Sequence, residues 1–199
     1  MITTLISTTH KKLGSTLLAS LLAGTAALAT WSVYAQTVDA SKSAVVITFK
    51  QMGVGVDAKF NKFTAQVDFD PGKLATSKAT VEIDVASFDL GDAAYNAEVA
   101  KKTWFNAAQF PKASFVTSAI KAGATPGKYE ATGKLSIKGK TIDVTVPVSY
   151  KADATGQVFE GALPIKRLTF NIGEGEWKDT DVVADDVTIK FKVVTALKK

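Results

Sequence analysis

The sequence predicts an all-β protein: an antiparallel barrel of about eight strands, with one short α-helix over an end. Three observations carry this. Apolar and polar residues alternate with a period of two in six or more stretches. Turn-forming residues separate those stretches at hairpin rather than crossover spacing. One stretch alone, residues 92–105, repeats with helical spacing. One apolar and one wetted face per strand marks an antiparallel sheet, and a sheet of this many strands loses its exposed edges by closing on itself.

Residues 1–35 read as an export signal. Lys11 and Lys12 supply its positive region, Leu17 to Gly24 opens its apolar region, and Val33-Tyr34-Ala35 offers small residues for cleavage before Gln36. The alternative is an uncleaved anchor helix, because Leu13 to Val38 carries no charge. Residues 36–199 then form one domain, long enough for a real core. The 24 basic and 19 acidic residues give a net charge of +5, and loss of Lys11 and Lys12 leaves +3. The lysines are scattered, without the basic stripe and interleaved aromatics of a nucleic-acid groove. An exported chain without cysteine relies on packing instead of disulfides, and a Gram-negative periplasm fits.

The strand signals follow in order. Val45, Ile47 and Phe49 share a face, and Phe60, Phe63, Val67 and Phe69 follow. Val81, Ile83 and Val85 alternate with Glu82 and Asp84; Leu135 and Ile137 alternate with Lys134, Ser136 and Lys138. Ile142 to Val148 and Val187 to Val193 repeat the pattern. Turn signals lie at Asp70-Pro71-Gly72, Pro126-Gly127, Lys138-Gly139-Lys140, Ala154-Thr155-Gly156 and Gly173-Glu174-Gly175. In the helical stretch Asp92 is placed as N-cap, with Ala93, Ala97, Ala100 and Trp104 along one face. A lipid-spanning outer-membrane barrel also alternates, with its apolar face outward. The Ala196-Leu197-Lys198-Lys199 ending and the lack of two aromatic girdles argue against it.

Chemistry is constrained by what is missing. The one histidine, His10, lies in the predicted leader, and there is no cysteine, so the exported part lacks the usual general base, metal ligand and nucleophile. The pairs Asp68/Asp70 and Glu82/Asp84 are spaced for acid–base work, yet they occupy the wetted strand face. The acidic residues from Glu174 to Asp186 lack the spacing of a calcium loop. Gly53-x-Gly55 and Gly173-x-Gly175 are too short to cradle phosphate. Ser136 and Lys138 share a strand face and represent the remaining route to an activated serine. Binding is therefore favoured over catalysis. Trp104, Phe105, Phe110 and Phe115 cluster around the helix exit, with Tyr95 and Val99 upstream. They either plug one end of the barrel or also line the mouth of an apolar cavity.

Four segments then resemble the YceI-like family, over about Val38 to Val194. They are Ile83-Asp84-Val85-Ala86-Ser87-Phe88-Asp89-Leu90-Gly91; Trp104-Phe105-Asn106 with Phe110-Pro111-x-x-x-Phe115; Thr132 to Thr141; and Ile165-Lys166-Arg167-x-x-Phe170-x-Ile172-Gly173. The resemblance implies a lipocalin-like periplasmic barrel, not an enzyme. It would hold or carry a polyisoprenoid or similar amphipathic lipid, such as an isoprenoid quinone, with no cofactor beyond that ligand. The chain departs from the family pattern at two places. Gln51-Met52-Gly53 stands where many members have His before Leu-Gly. Tyr95-Asn96-Ala97-Glu98-Val99 stands where many have Arg-Asp-x-His-Leu.

Strand parity and the resemblance together select the candidate ligand-binding residues. Ile47, Phe49, Phe60, Phe63, Val81, Ile83, Leu135, Ile137, Phe170 and Ile172 are expected on the cavity wall. Gln51, Tyr95, Glu98, Val99, Trp104 and Phe105 are expected at its mouth. The partner is a prenyl lipid or other amphiphile, not nucleic acid; homodimer formation and transient contact with a membrane surface stay open. The rival readings are a structural or stress-responsive barrel filled by its own side chains, which a cavity under about 300 Å³ would favour, and a lipid-modifying enzyme using carboxylate or Tyr groups.

Overall fold

The computed structural model describes Gln36 and residues 38–196; the predicted leader and its cleavage site lie outside the described residues. Among these residues ten strands form one antiparallel, strongly curled sheet. They are β1 (Ala44–Gln51), β2 (Val54–Phe60), β3 (Phe63–Asp68), β4 (Lys78–Asp84), β5 (Phe88–Asp89), β6 (Lys112–Ala122), β7 (Lys128–Ile137), β8 (Lys140–Asp153), β9 (Gly156–Lys166) and β10 (Val183–Thr195). Their spatial order is β3-β4-β6-β7-β8-β9-β10-β1-β2-β5.

The register reconciles ten strands with the predicted eight. Only Asn61 and Lys62 separate β2 from β3, and only the 3₁₀ turn Val85–Ser87 separates β4 from β5. β3 pairs with β4, and β2 pairs with β5, so the same two segments meet on both sides of one corner. Each segment is a single bent stave. With β1 beside β2 and β6 beside β4, eight staves follow one another around the curl. Backbone bonds from Asn61 N to Ser87 O and from Asp84 N to Lys62 O, each 3.0 Å, hold the corner. The Ser87 hydroxyl accepts from Lys62 N at 2.9 Å. At the far end Gln36 bridges to Val67 and Val38 to Thr195. The Thr195 hydroxyl donates to Gln36 Oε1 at 2.7 Å, tying β10 to the β3 side.

The interior is apolar, the reverse of a lipid-spanning barrel. Val45 and Leu135 are buried, while Lys134, Asp143 and Lys192 stand exposed on the outside. Among the described residues no helix is long and apolar enough to cross a membrane. At one end Phe69, Tyr129, Tyr150 and Phe159 form a floor of mutually tilted rings with centroids 4.8–6.0 Å apart.

The helix is shorter than its sequence signal. α1 spans Ala93–Val99, with the Asp92 carboxylate accepting from Ala94 N and Tyr95 N at 2.8 and 3.1 Å, as its N-cap role predicts. It stops before Trp104 and Phe105 because both are buried, and adjacent helical residues point to different sides. Irregular turns solve this: Asn106, in the left-handed region at φ +51°, bonds back to Lys101 O.

Candidate ligand cavity

The curled sheet encloses an apolar cavity of about 260 Å³, running from the aromatic floor to the end covered by α1. Sheet parity builds its wall, because residues two apart on a strand point the same way. Ile47, Phe49 and Gln51 of β1 line it, as do Val81 and Ile83 of β4 and Leu135 and Ile137 of β7. Phe60, Ile172, Trp104 and Phe105 join them towards the covered end, with Tyr95, Glu98 and Val99 of α1. Phe60, Phe88 and Phe105 lock together edge-on or tilted, with ring centroids 5.8–6.2 Å apart.

Two predicted wall residues lie elsewhere. Phe63 follows the Asn61-Lys62 corner, which reorients the chain, and it lines a shallow outer cleft with Lys59, Glu82 and Asp84. Phe170 is completely buried within the 3₁₀ segment Arg167–Phe170, where strand alternation does not apply. Conversely, the wall includes Trp177, Arg167, Tyr129 and Phe159, which were not predicted for it. Trp177 was the findable one: a large ring stranded in an otherwise acidic loop. Its ring lies 5.3 Å from that of Trp104.

Arg167 organises the covered end. It is 2% exposed, and its guanidinium is spent on backbone carbonyls. Nε donates to Ala184 O at 3.1 Å, Nη1 to Ile172 O at 2.8 Å, and Nη2 to Trp177 O and Val183 O at 2.7 Å each. Burial pulls its pKa below the usual arginine value, and Asp185 partly offsets this. The guanidinium sits 5.7 Å from the Trp104 ring centroid, a cation–π distance. Gly173 is required beside it: its φ is +80°, and a Cβ there would lie 2.0 Å from Nη1. The Trp104 indole N–H is buried and finds no hydrogen-bond partner among the described residues.

Glu82, Asp84, Ser136 and Lys138 stay away from the cavity, whereas Glu98, Tyr95 and Tyr129 line it. The Asp84 carboxylate caps the corner turn at Ala86 N (3.1 Å), and Glu82 faces Lys112 outside at 3.8 Å. Ser136 bonds Thr141 at 2.7 Å, whereas Lys138 turns to Asn171 O and Glu174, so these two form no dyad. That ion pair also lowers the Glu174 pKa. Glu98 lines the mouth, but its carboxylate is paired with Lys101. Among the described residues no three His, Cys, Asp or Glu converge as a metal site.

A family model for the YceI-like domain matches residues 36–195. This chain belongs to the YceI-like family. Among solved structures, the crystal structure of Burkholderia cenocepacia BcnA is 54% identical with a TM-score of 0.78, covering 80% of this chain and 99% of that one. A polyisoprenoid-binding domain from Saccharophagus degradans shares the fold at 18% identity and TM-score 0.63, covering 82% and 99%. A UPF0312 protein of Shewanella denitrificans is 34% identical over 145 residues, 71% of this chain and 73% of that protein. A Photorhabdus laumondii relative matches at 32% over about half of each chain.

Proposed function

We propose that this YceI-like barrel binds, and carries or shields, a polyisoprenoid or similar amphipathic lipid in the periplasm, without catalysing a reaction on it. The observation that carries the reading is the continuous apolar interior between an aromatic floor and a mouth where Gln51, Tyr95, Glu98 and Trp104 gather. Exposing one isoprene unit to water costs roughly 4 kcal/mol at ~0.8 kcal/mol per carbon group, so an aqueous compartment demands such shelter. That the Saccharophagus domain of the same fold is named for polyisoprenoid binding agrees with this choice.

The mouth favours an uncharged head group. The one guanidinium on the wall is committed to backbone carbonyls, leaving it little to offer a phosphate. The unpaired Trp104 N–H suits a neutral acceptor oxygen, such as a quinone carbonyl or an alcohol. A second reading, a barrel filled by its own side chains, draws on the volume: about 260 Å³ lies just under the ~300 Å³ at which ligand sites begin. Native mass spectrometry with organic extraction of protein purified from its own periplasm separates the two. A co-purifying prenyl lipid supports binding; no such lipid and no uptake of added prenyl quinone sinks it. Trp104→Phe keeps an aromatic ring but removes the donor and part of the buried indole, so it should lower the melting temperature by a few degrees and, measured well below that temperature, weaken quinone retention about tenfold.

A further inference from the structure

A lone exposed apolar side chain is ordinary, whereas a group of them marks a contact surface, and here they are not scattered. Five are exposed among the described residues: Met52 (77%), Val54 (67%), Tyr95 (53%), Val116 and Val182. All but Val116 sit on the lip of the cavity. Met52 directly follows the wall residue Gln51, and Val54 faces Gln51 across the β1–β2 ladder. Val182 precedes the wall residue Val183, and its carbonyl accepts from Met52 N at 2.8 Å. Tyr95 belongs both to the wall and to the exposed rim.

The backbone adds an independent sign. Met52 and Gly53 form a two-residue hairpin turn with φ of +49° and +79°. A turn of this mirror-image kind favours Asn-Gly, and a long side chain at its first position is strained. The sequence places its most exposed large apolar side chain where the turn itself prefers a small polar one. Neither folding nor solubility explains that choice.

We propose that this lip, built by the Met52–Val54 turn, Tyr95 and Val182, is the surface by which the protein touches a phospholipid bilayer. There an apolar path leads from the acyl region into the cavity. The inference rests on the reading that the cavity takes a lipid tail. The segments that carry the lip hold charges of both signs, Lys50 next to Gln51, the Lys101–Glu98 pair beside α1, and Asp179 and Asp181 just before Val182. Contact therefore runs through apolar side chains seated at the head-group boundary and does not need anionic lipid.

The test compares the wild-type protein with Met52→Asn/Val54→Thr by flotation on phosphatidylethanolamine–phosphatidylcholine vesicles. Neither side chain lines the cavity. The double variant should partition onto vesicles about tenfold more weakly. Met52→Asn alone should raise the urea midpoint, since it relieves the turn. Uptake of prenyl quinone from detergent dispersion should be the same for variant and wild type. Equal flotation of the two proteins, or no flotation of the wild type, overturns the proposal, as does capture of the lip by a protein with no vesicle binding. Failure of quinone uptake with flotation still dependent on Met52 and Val54 would reject the carrier reading and leave the bilayer contact standing.

Discussion

Ala131→Leu puts the cavity itself to the test, because the two readings of the barrel predict opposite signs. Ala131 lies in mid-β7, opposite Ile120 on one side and Val146 on the other, is 6% exposed, and lines the cavity. Leucine adds three carbon groups directed into the space. If that space is a void, their burial stabilises by about 2.4 kcal/mol at ~0.8 kcal/mol each. Ordering the leucine side chain costs about 0.5–1 kcal/mol, so the net gain is about 1.5 kcal/mol. For a domain of this size that raises the melting temperature by about 3–6 °C. In an already filled barrel the same change is overpacking and costs about 1–3 kcal/mol. Thermal unfolding followed by circular dichroism measures the shift, and urea unfolding with an unchanged slope verifies that both states are the same. Prenyl quinone uptake, followed by native mass spectrometry, should fall in the same variant. A lowered melting temperature would refute the void, and a raised one with undiminished uptake would refute the cavity as the lipid site.

Other outcomes follow from the same contacts. Arg167→Met leaves several buried carbonyls without donors and should cost about 3–5 kcal/mol in urea unfolding. Arg167→Lys, with three donors and no planar fork, should still cost about 2 kcal/mol, and a loss under 0.5 kcal/mol would contradict the role given to the guanidinium. Asp89 accepts bonds from Gly91 N, Asn61 and Asn96, which hold its pKa down to about 2. A depressed carboxylate stabilises above its unfolded pKa of about 3.9 and loses that contribution as pH falls towards 2. The stability gap between wild type and Asp89→Asn should therefore close across that window; a gap independent of pH would show that the contacts are not charge-dependent.

The wall of the cavity was largely legible in the sequence, because a strand's period of two is local. Ile47, Phe49, Val81, Ile83, Leu135 and Ile137 all line it as alternation predicts. The misplaced residues mark where that periodicity is interrupted. Phe63 sits just past a corner fixed by Ser87 and Lys62, some 25 positions apart in the chain. Phe170 belongs to a 3₁₀ segment, where the strand parity used to place it on the wall does not hold. The helix ends early because Trp104 and Phe105 both need the interior, a demand set by the barrel they pack into.

The sequence alone determined an all-β chain with an apolar inner face, an Asp92-capped helix, and a stretch from residue 36 to 199 without histidine or cysteine to act as nucleophile or metal ligand. Those features depend on residue type and near neighbours. The tertiary structure decided how two bent segments make eight staves of ten strands, and how Gln36 and Thr195 tie the far end. It also turned a single arginine, 5 to 17 residues from its carbonyl partners, into the clamp of the covered end. The same holds for the lip, where Met52 and Val182 meet from two separate segments. Such juxtapositions arise from pairings between distant parts of the chain, which no local pattern of residues encodes.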